Sequence, residues 1–271
     1  MLLIAAPAPA GQWHSGANLV CSDCHTQHNS SGGAPMRTDA NPTPARMLLR
    51  RGTPMELCLS CHDGANPAAP DVIAPVSYIA ESAAGAFPNS GGIATTNAHH
   101  LNNPAAEVPP GGMIAMVLTC TTCHDPHGNA NYRNLRDDPT RTSLPPQSVI
   151  ATQKKLPGLA APEEVYAPSN VIYKSGVSAW CSKCHSDAIG GHDHADDRPM
   201  WGAASASYTR WVSTTSPRVP VHSPTDDDVP SIDDRVMCLS CHKAHGSENN
   251  AALIHADGLT LDSTCEECHD Q

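Results

Sequence analysis

The sequence predicts a chain that is mostly coil, with short helices, few strands and no conventional hydrophobic core. Three observations predict it. All twelve cysteines fall in six copies of one pentapeptide, Cys-x-x-Cys-His, with none left over. The 271 residues include one Phe, five Tyr and four Trp, an aromatic share of 4% that is too small to fill an ordinary interior. Pro and Gly supply 25 and 19 residues, and stretches such as 65–75 and 214–230 show neither helical nor strand periodicity.

The six pentapeptides are Cys21/Cys24/His25, Cys58/Cys61/His62, Cys120/Cys123/His124, Cys181/Cys184/His185, Cys238/Cys241/His242 and Cys265/Cys268/His269. That spacing is the attachment signature of c-type haem. Two thiols one helical turn apart reach the two vinyl groups of a porphyrin, and the adjacent imidazole then lies beneath the iron. Rival uses of paired cysteines fit less well. Structural zinc would pair the Cys-x-x-Cys knuckles without a His after every second Cys, and a disulfide framework would scatter them irregularly. The fold class is therefore multihaem cytochrome c, scaffolded by six c-type haems (haem C, iron). At one porphyrin per roughly 45 residues, their broad apolar faces replace the missing core. Without haem this Pro-rich composition predicts disorder.

Residues 1–10 read as a signal-peptide remnant. An apolar run, Met1 to Ala6, precedes the small-x-small pattern Ala8-Pro9-Ala10. No other segment approaches the length of a membrane span. Residues 11–271 are expected to form a single hexahaem domain, exported through the periplasm to the cell surface or beyond, since haem is attached covalently on the exported side of bacterial membranes. A net charge of −11 disfavours nucleic acid and anionic lipid as partners. Asp226, Asp227 and Asp228, with Asp233 and Asp234, read as solvated loop charges, a hard-cation site being the alternative.

The histidines carry the next inference. Sixteen less the six proximal ones leaves ten, a large excess. His28, His127 and His245 each extend an odd-numbered motif to Cys-x-x-Cys-His-x-x-His. Upstream of the same motifs stand His14, the pair His99-His100, and His222. The chain thus reads as three degenerate dihaem repeats, at about 11–95, 96–215 and 216–271. Each supplies two haems and two spare histidines, so His14, His28, His100, His127, His222 and His245 become the expected distal iron ligands. His99 is the alternative to His100. His192, His194 and His255 fall outside the pattern as surface residues or reserve ligands.

A His three residues beyond the proximal ligand lies on the same side of its own haem, so it is expected to ligate another one. If the repeats are equivalent, His127 reaches back to haem one and His245 to haem three. His28 then has no preceding repeat, and haem five lacks a donor. A head-to-tail neighbour solves both problems, His28 of one subunit capping haem five of the next. Heterologous contacts that do not close generate filaments.

At this point the chain resembles a known family. Trp13-His14-Ser15-Gly16, Cys24-His25-Thr26-Gln27-His28-Asn29-Ser30, Cys123-His124-Asp125-Pro126-His127-Gly128, Trp180-Cys181 and Cys238-Leu239-Ser240-Cys241-His242-Lys243-Ala244-His245 look like the extracellular multihaem c-type cytochrome nanowires. The resemblance spans nearly the whole chain, although the segments between motifs are shorter here. It implies bis-His haems stacked in a continuous row through a polymer, with the His at the place of His28 ligating a neighbour's haem.

The expected function is extracellular electron transfer by hopping between closely packed haems, an electron carrier and not an enzyme. Two imidazoles saturate each iron, and the eight Met lack the positional regularity of the histidines, which makes them gap fillers. Electrons pass to redox partner proteins or extracellular acceptors. Three other readings stay open: a monomeric periplasmic shuttle that closes haem five internally through His255, a multihaem oxidoreductase with one five-coordinate haem, and a filament in which haem serves only as a staple.

Overall fold

A computed structural model describes residues 14, 19–26, 28, 30–31, 34–35, 48–67, 69–73, 84–87, 98–142, 144–153, 171–187, 222 and 235–254. The first five haem motifs lie within these. The sixth (Cys265, Cys268, His269), the segment 1–10, the acidic groups at 226–228 and 233–234, and His192, His194 and His255 lie outside them.

The architecture is the one the composition demands. Among the described residues the helices are α1 (Cys21–Cys24), α2 (Pro54–His62), α3 (Cys120–Cys123), α4 (Val177–Cys181) and α5 (Cys238–Cys241). Two antiparallel ribbons accompany them, β1 (Ser30–Ser31) with β2 (Ala34–Pro35), and β3 (Ile150–Gln153) with β4 (Val171–Ser175). In the second ribbon Ala151 opposes Tyr173 and Gln153 opposes Val171, with a register shift between Ile150 and Ala151. Short 3-10 turns at Tyr132–Asn134 and Asn250–Ala252 complete the regular structure, and the other described residues are turn, bridge or coil.

The odd-numbered motifs share one local build. Helices α1, α3 and α5 are single turns that begin and end on the two cysteines. Such a nucleus is unfavourable alone, and each is held by the same two devices. At the N-terminus, the side chain at the third helical position accepts the N-cap amide: Val20 N–H to Asp23 Oδ2 at 2.8 Å, Thr119 N–H to Thr122 Oγ1 at 3.0 Å, Met237 N–H to Ser240 Oγ at 3.1 Å. At the C-terminus the chain turns extended at the proximal His, which bridges to a leucine further on: His25 to Leu49, His124 to Leu135, His242 to Leu253. Flanking amides close each bridge, as in Arg50 N–H to the Cys24 carbonyl, Arg136 N–H to Cys123 and Ile254 N–H to Cys241, at 2.8–2.9 Å. Tight turns with left-handed residues deliver each leucine, at Leu48, at Arg133 and Asn134, and at Ala251 and Ala252.

The two described even-numbered motifs are built differently. Helix α2 is a full nine residues, opened by Pro54 and a reciprocal capping box in which Thr53 Oγ1 accepts from Glu56 N–H (3.1 Å) and Glu56 Oε2 accepts from Thr53 N–H (2.9 Å). His62 lies in its last turn. Helix α4 starts after Gly176 and carries Cys181 at its end.

Apolar packing is local. Val149, Tyr173, Val177 and Met237 form one small cluster that ties the second ribbon to α4 and α5, with Tyr132, Leu135, Trp180 and Leu239 against it. Helix α2 packs on α3 and α4 on α5, so motif two lies beside motif three and motif four beside motif five.

Candidate haem sites

The single-turn helices set both thiols of a motif on one face, one turn apart. The ten described cysteines are all free thiols. Burial pushes the Cys123 thiol up to about 12, so it stays protonated at neutral pH. Thiols of successive motifs also meet. Cys58 shares a hydrogen bond with Cys120, which raises the first and lowers the second, and Cys181 shares one with Cys238. The attachment points of motifs two and three, and of four and five, are therefore side by side.

Proximal imidazoles are oriented by the main chain. His62 Nδ1 stands 3.0 Å from the Pro70 carbonyl, His124 Nδ1 2.9 Å from Arg133, His185 Nδ1 2.9 Å from Pro110 and His242 Nδ1 2.8 Å from Ala251. A carbonyl only accepts, so Nδ1 carries the proton and Nε2 keeps a lone pair for a metal. This is the usual outer-sphere arrangement of a ligating His. For motifs three and five the carbonyl belongs to the tight turn that also makes the leucine bridge. One device thus fixes both the backbone and the ring.

Opposite these rings stand other histidines. His14 faces His62 with ring centres 6.0 Å apart, His127 faces His25 at 6.1 Å, His99 faces His185 at 6.0 Å and His245 faces His124 at 6.3 Å. Direct stacking of two rings would bring them closer. Two imidazoles sharing one metal ion are another matter: each nitrogen sits ~2.0–2.1 Å from the ion and each ring centre ~1.1 Å behind it, so the centres stand about 6.2–6.4 Å apart. The gap at His124 falls in that range and the other three, at 6.0–6.1 Å, lie just under it, which is close to the room an iron would take. His245 is also suited to the role by burial, which drives its pKa to about 3 and keeps the ring neutral. Desolvation likewise lowers His124.

His99, rather than the expected His100, is the ring opposite His185. The neighbouring His100 is turned to Glu107, with Nδ1 2.7 Å from Oε1, and its Nε2 is buried with no hydrogen-bond partner. Adjacency alone could not separate the two residues. His222 is buried and fixed between Tyr173 and Arg235 by backbone bridges. His28 is exposed and takes part in no described hydrogen bond, ion pair or ring contact.

His99 and His245 hang on one brace. The 244–246 tripeptide lies between segments 84–87 and 98–99: His245 N–H donates to the Ala84 carbonyl (2.7 Å), Ala86 N–H to Gly246 (3.0 Å), and His99 N–H to His245 (3.0 Å). His99 Nδ1 lies 2.6 Å from the Ala244 carbonyl. Gly85, at φ +79°, has to be glycine, because a Cβ there would meet the Gly246 carbonyl oxygen at 1.8 Å. This brace was not visible in the sequence.

Residues 231–271, holding motifs five and six, match the family model described as a doubled CXXCH motif. The C-type cytochrome OmcS of Geobacter sulfurreducens is 28% identical in an alignment covering 91% of this chain and 80% of that protein. The solved outer membrane cytochrome S filament of the same organism shares the fold, with a TM-score of 0.53 at 20% identity, over 89% of this chain and 84% of that one. Among the described residues no helix is long and apolar enough to cross a membrane.

Proposed function

We propose that this chain, an OmcS-like multihaem c-type cytochrome, carries electrons outside the cell through six bis-His c-type haems, as the subunit of a filament. The observation that carries this reading is the set of four facing imidazole pairs at 6.0–6.3 Å. On this assignment Cys21, Cys24, Cys58, Cys61, Cys120, Cys123, Cys181, Cys184, Cys238, Cys241, Cys265 and Cys268 hold the porphyrins, and the His after each pair is the proximal ligand. The distal ligands are His127 for His25, His14 for His62, His245 for His124 and His99 for His185, with His99 taking the place expected for His100. His222 supplies His269, and His28 supplies His242 of the next copy.

When bound, haem provides a one-electron iron couple whose potential follows its axial ligands and surroundings. The protein's part is to hold and to exclude. Two imidazoles facing each iron would leave no open position for substrate, which supports a carrier over an oxidoreductase. Carbonyl acceptors on Nδ1 fix the tautomer and the orientation of the rings, leaving Nε2 to face a metal. The thiol pairs Cys58/Cys120 and Cys181/Cys238 bring successive attachment points together, which supports an unbroken row within the subunit.

Two features support continuation between subunits. His28 is exposed and unengaged while its equivalents His127 and His245 each face a proximal ring. The solved relative is itself a filament. Electrons would leave the row to redox partner proteins or extracellular acceptors.

Electron microscopy of the secreted holoprotein tests the reading. Wild type is expected as filaments, and His28→Ala as single subunits that still carry six haems by pyridine haemochromogen assay. A wild-type monomer with wholly low-spin iron would overturn the polymer and leave the carrier standing. A high-spin ferric signal accompanied by turnover would overturn the carrier.

A further inference from the structure

The four imidazole pairs differ in one respect. His25 and His127 are nearly parallel, their planes 16° apart, and the pairs at His62 and His185 are tilted by 52° and 50°. His124 and His245 are crossed at 77°. That crossed pair also has an aromatic neighbour. Phe87 lies flat on His245, ring centres 4.2 Å apart and planes 23° from parallel. It is the only phenylalanine in the chain.

We propose that Phe87 is a positioning residue that fixes the rotation of His245 and so gives the iron between His124 and His245 crossed axial ligands. The inference rests on the ligation reading above and adds a role that the motif pattern does not contain. Phe87 can act as a stop because it is itself fixed. It is 7% exposed, its amide donates to the Val72 carbonyl at 2.9 Å, and the preceding Ala86 amide donates to Gly246 at 3.0 Å. Turning the His245 ring toward the plane of His124 would drive its edge into the phenyl face. Stacking of the two rings further favours the observed orientation.

Ligand orientation has an electronic consequence. Parallel imidazoles overlap the same iron dπ orbital and separate it from its partner, whereas crossed imidazoles treat the two alike and leave them nearly degenerate. In the ferric low-spin state the first case gives an ordinary rhombic electron paramagnetic resonance spectrum, and the second gives a broad signal at large g. The near-parallel His25/His127 pair is an internal reference within the same chain. The second effect of Phe87 is to keep water from the face of His245, and the dryness around an axial ligand is one of the levers on haem potential.

The test is the frozen-solution spectrum of the oxidised holoprotein, wild type and variants, each normalised to haem content. Wild type is expected to show large-g intensity beside the rhombic signals. Phe87→Leu, which stays apolar but removes the flat ring, is expected to lose large-g intensity equal to about one haem in the six motifs, with a matching gain in rhombic signal or, if His245 lets go, in high-spin signal. Phe87→Tyr and Phe87→Trp keep a ring and are expected to keep the wild-type spectrum. A Phe87→Leu spectrum that superimposes on wild type overturns the inference, as does a wild-type spectrum with no large-g intensity, whatever the variants do. A wholly low-spin protein that ignores residue 87 sinks this inference alone, whereas high-spin ferric iron in wild type sinks the bis-imidazole reading beneath it.

Discussion

His99 and His100 are adjacent, chemically identical, and assigned opposite fates, so exchanging each for alanine separates ligation from every other effect of losing a histidine. His99 faces His185 across 6.0 Å, close to the width of a shared metal, with its Nδ1 already occupied by the Ala244 carbonyl. His100 holds Glu107 through its Nδ1 and faces no proximal ring among the described contacts. His99→Ala is therefore expected to open one iron of the six encoded by the motifs, a sixth of the total haem passing from low to high spin. It also removes the bond to Ala244, worth about 1 kcal/mol, so the 244–246 brace loosens a little. His100→Ala is expected to open none. The assay is the high-spin ferric fraction by magnetic circular dichroism, referred to haem content by pyridine haemochromogen. Added imidazole should return His99→Ala to the low-spin form by entering the emptied position. High-spin iron in His100→Ala with none in His99→Ala would refute the geometric argument, and with it the rule that ring separation identifies the pairs.

Two further outcomes follow from the fold. Gly85→Ala forces a left-handed residue and drives a Cβ into the Gly246 carbonyl oxygen at 1.8 Å; the strained backbone alone costs about 1–3 kcal/mol, and a thermal melt followed by Soret circular dichroism should shift down accordingly, an unchanged melt refuting the brace. Tyr173, in the buried cluster, has its phenol pushed well above the ordinary 10.0, first by burial. The folded state then holds a proton that the unfolded chain releases, so this contribution is intact below pH 10 and is lost as pH rises beyond it, by up to about 1.4 kcal/mol per pH unit. Denaturant melts between neutral and strongly alkaline pH should show that loss in wild type and a smaller one in Tyr173→Phe.

Much of this was legible in the chain. Cys-x-x-Cys-His is a local code, so the attachment points needed no knowledge of the fold, and the poverty of aromatics announced that haem had to stand in for a core. The distinction between odd and even motifs, first visible in the positions of His28, His127 and His245, reappears as two kinds of local build, a single turn with a leucine bridge and a helix running up to or into the motif. Where sequence reading stopped short, the determinant was distant in the chain. Choosing His99 over His100 depends on Ala244 and His245, almost 150 residues on. Phe87 finds His245 through the same brace. Its being the sole phenylalanine was the one hint, and no periodicity pointed to its partner.

The carbonyl partners of the proximal imidazoles have one more implication. Many ligating histidines lean on a carboxylate, which titrates and which a single base change can delete. Here the acceptors at Pro70, Arg133, Pro110 and Ala251 are main-chain oxygens. No substitution at those positions removes the oxygen itself, and it carries no proton across the physiological pH range. The donor strength of each ring is thereby insulated from acidity and from drift in side-chain identity. Such a chain can diverge widely between its motifs while the electrical character of its ligands is inherited unchanged.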